Sequence, residues 1–182
     1  MVFRKLFSGG SREKELEIDP LADLVLAKLK VGYLVDYDMQ TWRVTAYSRY
    51  DFDGYEVEEW ELEAGREKRY LELEHEEDGW SLTRKIPIGA VAGDVRREIQ
   101  EHEDPPATVT FEGTEYYLEE SLAGYMYENG DGEGQPLIRW EYLDSEESGF
   151  LSIEQWGENQ FAVAVGGAVE DYQFSNILPG TP

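Results

Sequence analysis

The stretch VDYDMQTWRV, residues 35–44, has the alternation of two β-strands joined by a tight turn. Val35 opens the first apolar series, and Trp42 opens the second. The stretch VTFEGTEYYL, residues 109–118, repeats this arrangement with an apolar residue at each matching position. A hairpin pattern that occurs twice in this way predicts a β-rich chain with an internal repeat.

The similarity between the two segments extends beyond these hairpins. EEWEL at residues 58–62 matches IRWEY at 138–142, and YLELE at 70–74 matches FLSIE at 150–154. The second segment is longer because of the glycine-rich stretch ENGDGEGQP at residues 128–136. Glycine-rich stretches form loops, and loops accept insertions. The sequence therefore predicts two tandem copies of one strand meander.

The predicted fold class is mainly β. Each copy is a roughly five-stranded antiparallel meander, and the copies are expected to pack together as barrel-like or sandwich halves. The predicted strands lie near residues 31–38, 42–50, 55–63, 68–75, 80–87, 108–112, 115–122, 137–143, 150–155 and 161–166.

Two short helices are predicted outside these strands. One covers residues 19–29, with Asp19 as N-cap and Pro20 at the first helical position. The other follows Asp94 in the segment that links the two copies. The predicted organisation is a flexible lead-in at residues 1–18, the first repeat with its preceding helix at 19–89, a linker at 90–105 and the second repeat at 106–178, the two repeats forming one compact unit.

The composition is strongly acidic: 40 Asp and Glu against 16 Lys and Arg give a formal net charge of -24 over 182 residues. This charge repels phosphate backbones, so nucleic acid is excluded as a partner. The chain contains no cysteine and no apolar run long enough to span a membrane, and a cytoplasmic location is expected. Weak peripheral membrane contact is left open through Phe3, Leu6 and Phe7.

Two Trp-Glu pairs stand at matching positions in the copies: Trp60 with Glu61, and Trp140 with Glu141. One hypothesis places all four in a cleft between the repeats, as ligand-binding residues or as paired carboxylates of an enzyme. Alternation favours a plainer arrangement, with the tryptophans packed inward and the glutamates facing solvent or paired with arginines. Since no catalytic motif accompanies them, no catalytic residue and no cofactor is predicted, and binding is favoured over enzyme activity.

A metal site is the second alternative. Asn129, Asp131 and Glu133 supply oxygen atoms at positions 1, 3 and 5 of a calcium-loop pattern, with Gly134 at position 6. That pattern requires Glu at position 12, where the chain has Trp140. Asp, Asn and Gly are also the residues that a hairpin turn requires, so calcium binding and ordinary turn chemistry both account for this loop.

The chain resembles a bacterial family known as domain of unknown function 4178, over about residues 24–178. The resemblance is carried by VGYLVDYDMQTWRVTAYSRY, EEWEL, YLELE and WSLTRKIPIG, and in the second copy by TVTFEGTEYYLEES, RWEY and LSIEQWGENQFAVAVG. It implies a β-rich bacterial protein, and family members are often encoded beside envelope-stress proteins of the phage-shock type, small membrane proteins and polyamine-synthase-like enzymes. The resemblance brings no catalytic motif.

These observations together predict a non-catalytic binding or scaffold protein that presents an acidic surface to a protein partner or a cation. The resemblance implies a link to bacterial envelope stress. The alternatives are a small-ligand binder or enzyme that uses a cleft between the repeats, and a calcium-binding β protein.

Overall fold

The structure is a computed structural model that describes residues 24–76 and 78–180. Within these ranges the chain forms eleven strands and one α-helix, joined by turns and three short 3-10 helices. The strands are β1 (Leu34–Tyr37), β2 (Gln40–Phe52), β3 (Tyr55–Ala64), β4 (Glu67–Glu74), β5 (Gly79–Ile86), β6 (Thr108–Phe111), β7 (Thr114–Glu128), β8 (Gln135–Asp144), β9 (Gly149–Gly157), β10 (Gln160–Val169) and β11 (Ser175–Leu178); the helix α1 is Val95–His102, and the 3-10 helices are Leu26–Lys28, Ile88–Ala90 and Asp171–Gln173.

All eleven strands belong to one antiparallel sheet in the order β11-β1-β2-β3-β4-β5-β10-β9-β8-β7-β6. Two contacts join the first five strands to the next five: β5 pairs with β10 from Ile86 opposite Val163 onward, and β2 pairs with β7 from Ser48 opposite Glu128 onward. The second contact closes β2–β5 and β7–β10 into an eight-stranded barrel. Strands β1, β11 and β6 remain outside the closed ring.

The outer face of the barrel carries two apolar clusters, one for each half. In the first half, Trp60 stands opposite Leu71, which stands opposite Leu82, so these side chains share one face of the sheet. The flanking β1 and β11 and the segment before β1 cover that face. The buried members of this first apolar cluster are Leu26, Leu29, Val35, Trp42, Val44, Trp60, Leu62, Leu71, Leu73 and Phe174.

The second half is built in the same way, with α1 as its cover. Trp140 stands opposite Ile153, which stands opposite Val163, and Val95 and Ile99 of α1 pack against them. The two helical residues lie one turn apart on one face of the helix. The buried members of this second apolar cluster are Ile86, Val91, Val95, Ile99, Val109, Phe111, Tyr116, Trp140, Tyr142, Leu151, Ile153, Val163 and Val165.

The β-rich class is confirmed, and each of the ten predicted strands has a counterpart. Strand β11 was not predicted, because its sequence SNIL places two polar residues before two apolar ones and so shows no alternation. The predicted linking helix is α1, although Asp94 occupies the N-cap position without a side-chain capping hydrogen bond. The two segments do not form separate packed halves, since each contributes four strands to one barrel. The internal repeat stays a prediction.

The predicted lead-in at residues 1–18 lies outside the described residues, as does the beginning of the predicted helix at 19–29. The part of that helix which the structure describes is a single 3-10 turn, Leu26–Lys28. Val25 before it has extended backbone angles, so no α-helix runs through this position.

A glycine at the junction of β5 and β10 permits their close approach. A Cβ atom at Gly166 would overlap the carbonyl oxygen of Leu82 and would lie 2.7 Å from the Cα of Thr83. We expect Gly166→Ala to lower the free energy of unfolding by about 1–3 kcal/mol, because the strands must separate to admit the methyl group. Urea denaturation measures this loss.

The matched control is Gly89→Ala, since a Cβ there would have nothing within 4 Å. We expect this variant to stay within about 0.5 kcal/mol of the wild type. Equal stability of the two variants would contradict the proposed overlap.

Candidate functional site

The interior of the barrel is organised around a buried arginine. Arg139 of β8 is 2% exposed, and its guanidinium binds the carboxylate of Glu72 at 3.1 and 3.3 Å and that of Glu154 at 2.7 and 3.0 Å. Glu154 is on the neighbouring β9, whereas Glu72 is on β4, across the barrel. This cross-barrel contact identifies the polar face of the sheet as the inside.

Aromatic rings of β2 pack against the same guanidinium. The Cζ of Arg139 lies 4.5 Å from the ring centre of Tyr50 and 5.4 Å from that of Phe52. The Tyr50 hydroxyl donates a hydrogen bond to Glu59 at 3.4 Å. A desolvated cation gains from such ring contacts, which partly offset the cost of burying it. Arg139 thus contacts strands from both halves of the barrel.

Glu59 is the third carboxylate of this interior. Burial, together with the nearby carboxylates of Glu72 and Glu154, raises the pKa of Glu59 to about 8 against the opposing effect of Lys85 and Arg139. One guanidinium cannot balance three carboxylates in a poorly hydrated space, so a proton on Glu59 relieves the excess negative charge. We call Arg139, Glu59, Glu72 and Glu154 the interior ion cluster.

A small, partly open cavity of about 260 Å³ adjoins this cluster. Glu141 lines it, and burial raises the pKa of Glu141 to about 7 against the opposing effect of Arg139, with Glu72 and Glu74 as further causes of the rise. The carboxylates that line this carboxylate cavity are Glu72, Glu74, Glu119, Glu120 and Glu141.

Glu61, the counterpart of Glu141 in the predicted cleft, lies in a different environment. It accepts hydrogen bonds from Lys68 at 2.6 Å, from Thr45 at 2.7 Å and from Tyr70 at 3.2 Å. Burial alone would raise its pKa, but the bonds from Lys68 and Thr45 hold the pKa below the ordinary value. The pKa values of the two glutamates are therefore shifted in opposite directions.

Trp60 and Trp140 are both 1% exposed, but they pack on the outer face of the barrel rather than inside it. The Trp60 indole donates a hydrogen bond to the carbonyl of Leu29 at 2.9 Å, and its ring lies 5.6 Å from that of Tyr47. The Trp140 indole N–H is buried and has no hydrogen-bond partner among the described residues. Both tryptophans are thus buried in the apolar clusters, as the alternation predicts, and these clusters lie under the flanking strands and α1.

The three residues of the metal hypothesis share one exposed loop. Asn129, Asp131 and Glu133 lie between β7 and β8, and the Asn129 N–H bonds to the carbonyl of Tyr47 at 2.9 Å. Asn129 has a positive φ of 58°, as turn residues often do. In the part of the chain that the structure describes, no group of three or more His, Cys, Asp or Glu could hold a metal ion. Calcium binding by this loop stays a prediction.

An apolar groove lies where the outer face is left uncovered. Ile138 is two residues before Trp140 on β8, on the same face, yet it is 36% exposed, and Tyr125 of β7 is 51% exposed. The groove has a volume of about 540 Å³, within the range of ligand-binding clefts. We call it the β7–β9 groove, and its lining residues are Ala123, Gly124, Tyr125, Pro136, Leu137, Ile138, Gln155, Trp156, Gly157 and Glu158.

Neither the interior ion cluster nor the β7–β9 groove was predicted from the sequence. Arg139 stands inside the quoted IRWEY motif, but a strand that alternates charged and apolar residues indicates one solvated face. The combination of Tyr125 and Ile138 on one uncovered face depends on the pairing of β7 with β8 and on the reach of α1. No local signal in the sequence marks either arrangement.

The fold and these sites define a β-barrel protein whose interior combines the ion cluster with buried Tyr50 and Phe52, and whose described residues form two covered apolar flanks and an open apolar groove. The family model named "Domain of unknown function (DUF4178)" matches residues 30–171, and the chain belongs to this family. A similar curated protein is an "Uncharacterized protein" of Aquifex aeolicus (strain VF5), 27% identical over 176 residues, which are 97% of this chain and 96% of that protein. No solved structure matches the chain.

None of the helices in residues 24–76 and 78–180 has the length and apolar character needed to cross a bilayer.

Proposed function

We propose that this protein is a non-catalytic binding protein that holds an apolar, basic segment of a protein partner in the β7–β9 groove. The observation that carries the proposal is the exposure of Tyr125 and Ile138, 51% and 36%, beside a groove of about 540 Å³. We also propose that the protein acts in the cytoplasm. Following the family resemblance, its role is connected with bacterial envelope stress.

The groove presents exposed apolar side chains that a protein partner can bury. Tyr125 and Ile138 are large, exposed apolar side chains, and tyrosines are enriched among the residues that dominate binding energy. Burial of their apolar surface supplies about 25 cal/mol per Å² before the costs of association.

The charge around the groove favours a basic partner. Glu158 lines the groove, and the whole chain has a formal charge of -24. Acidic groups beside an apolar surface accelerate association with a basic partner and disfavour acidic ones.

The enzyme alternative gains less support. It requires two carboxylates that act together, whereas the pKa of Glu61 is lowered by its hydrogen bonds and that of Glu141 is raised by burial. The strongly buried groups, Arg139 and Glu72, are engaged with each other.

The test is a selection of peptides from a displayed random library on the immobilised full chain. We expect selected peptides to combine Leu or Phe with Lys or Arg, and to bind the double variant Tyr125→Ser/Ile138→Ser at least about tenfold more weakly. A tenfold loss corresponds to about 1.4 kcal/mol, a typical effect of removing central interface side chains.

The control variant is Tyr172→Ser, which removes an equally large residue that is 79% exposed on the turn before β11. Its affinity for the selected peptides should equal that of the wild type. Peptides that bind the groove variant as tightly as the wild type would refute the proposed site.

A further inference from the structure

We propose that the partner segment binds as a short β-strand added to the open edge of β7, with apolar residues alternating with lysine or arginine. This inference rests on the proposed function, since it gives the conformation and the sequence pattern of the same partner. It is carried by a stretch of β7 that lacks a strand partner on one edge and has the β7–β9 groove on one face and the carboxylate cavity on the other.

The middle of β7 is unpaired on the edge that faces away from β8. Pairing with β6 ends where the Leu118 N–H donates to the Ala107 carbonyl at 2.9 Å, and pairing with β2 begins at Tyr125. Between these points, residues 119–124 have no strand partner on this edge in the part of the chain that the structure describes. An unpaired strand edge is a template for the addition of another strand.

Two residues of this stretch direct their backbone groups to the open edge. Successive residues of an antiparallel strand turn their N–H and C=O groups to alternate edges. Asn129 donates its N–H to the Tyr47 carbonyl on the β2 side, and the register is unbroken over residues 120–128. The same edge is therefore faced by Ala123 and Ser121. Both residues are exposed, so an incoming strand can reach them.

The outer face of the added strand lies beside the β7–β9 groove. Paired residues of neighbouring strands place their side chains on the same face of a sheet. Ala123 stands opposite Ile138 on the outer face, and both line the groove. Because Ala123 is small, a leucine or phenylalanine opposite it can extend over β7 towards the exposed Ile138. The residues of the added strand that pair with Ser121 and Ala123 are therefore apolar.

The inner face of the added strand lies beside the carboxylate cavity. Glu120 stands directly opposite Glu141 on this face, and both line the cavity. Like charges in this position repel each other, and Glu120 is among the causes that raise the pKa of Glu141. Arg139 also lines the cavity but is already bound to two carboxylates. A lysine or arginine on the inner face of the added strand supplies a positive charge to this site.

Amide hydrogen exchange on the full chain tests the backbone pairing. The probe is a peptide selected on the wild-type chain from the displayed random library. We expect saturating peptide to slow the exchange of the Ser121 and Ala123 amides at least about tenfold, because both become hydrogen-bonded. The exposed amide of Tyr172 should exchange at an unchanged rate. Unchanged exchange at Ser121 and Ala123, with affinity still lost in Tyr125→Ser/Ile138→Ser, would overturn the added strand while the groove remains a binding site.

Substitutions of Ser121 separate backbone pairing from side-chain contact. Ser121→Pro removes the N–H that faces the open edge, and proline is tolerated where a strand edge is unpaired. We expect this variant to bind the peptide at least about tenfold more weakly, and Ser121→Ala to bind as the wild type does. Urea midpoints establish that both variants fold. Equal binding by the two folded variants would refute the pairing.

Methylation of the peptide's own amide nitrogens makes the same test without altering the protein. Only alternate residues of an added strand bond to β7, so N-methyl groups on one alternate set should weaken binding about tenfold and those on the other set should not. Equal sensitivity of the two sets would contradict an extended bound form. Selected peptides with apolar residues three and four positions apart, as in a helix, would contradict it as well.

The variant Glu120→Gln tests the inner face. We expect it to bind the selected peptide about fivefold more weakly, because one carboxylate near the partner's basic residue is lost. The control is Glu67→Gln, which makes the same change in net charge at a side chain that is 58% exposed at the opposite end of β4 from the cavity. An equal loss in both variants would show that the charge of the whole chain, and not the carboxylate cavity, selects the basic residue.

Discussion

Replacement of Arg139 by methionine is expected to lower the free energy of unfolding by about 3–5 kcal/mol. The guanidinium makes charge-assisted hydrogen bonds to Glu72 and Glu154 while only 2% exposed. Methionine fills a similar volume but leaves two buried carboxylates without a cation. Urea denaturation followed by tryptophan fluorescence measures the loss.

The control is Arg97→Met, because Arg97 is paired with Asp94 at 3.1 Å but is 58% exposed. Exposed pairs contribute little, so we expect a change within about 1 kcal/mol. A triple variant, Arg139→Met/Glu72→Leu/Glu154→Leu, should recover most of the lost stability, since an apolar replacement of a buried ion cluster is often neutral or favourable. A triple variant as unstable as Arg139→Met would show that the charges are not the cause.

The second large effect is the dependence of the free energy of unfolding on pH, which arises from Glu59. The pKa of Glu59 is raised to about 8 by burial and by Glu72 and Glu154, against an ordinary value of 4.5. Between these values the folded protein holds a proton that the unfolded chain releases, so stability is greatest below pH 4.5 for this group and falls as pH rises to about 8. The loss is on the order of 5 kcal/mol.

The variant Glu59→Gln tests this pH dependence. It cannot ionise, so its stability should change less than that of the wild type between pH 5 and pH 8 and should exceed it at the alkaline end. Urea midpoints at several pH values provide the comparison, with Glu67→Gln, at a side chain that is 58% exposed, as control. Parallel curves for Glu59→Gln and wild type would contradict the assignment.

The strands were predictable because their alternation is local. YLELE at residues 70–74 places Leu71 and Leu73 on one face and Glu72 on the other, and β4 has this arrangement. Alternation cannot show which face meets water. Glu72 is 8% exposed because the sheet closes into a barrel around it, and this closure depends on the pairing of residues 48–51 with 125–128.

The candidate site was predictable only in part. Trp60 and Trp140 stand at matching positions in the two segments, and both are buried. Their partners Glu61 and Glu141 have different neighbours, Lys68 for the first and Arg139 for the second. Sequence similarity between segments does not report such differences, because the neighbours belong to other strands.

The two strand pairings that close the barrel, β5 with β10 and β2 with β7, have a consequence for biosynthesis. Strand β5 ends at Ile86, but its partner β10 is complete only at Val169, so β5 leaves the ribosome with one edge unpaired. At about 5–20 residues per second, the second segment follows only seconds later. During that interval the nascent chain exposes open strand edges, which favour aggregation. The pairing of β5 with β10 can therefore be completed only after residue 169 has been synthesised.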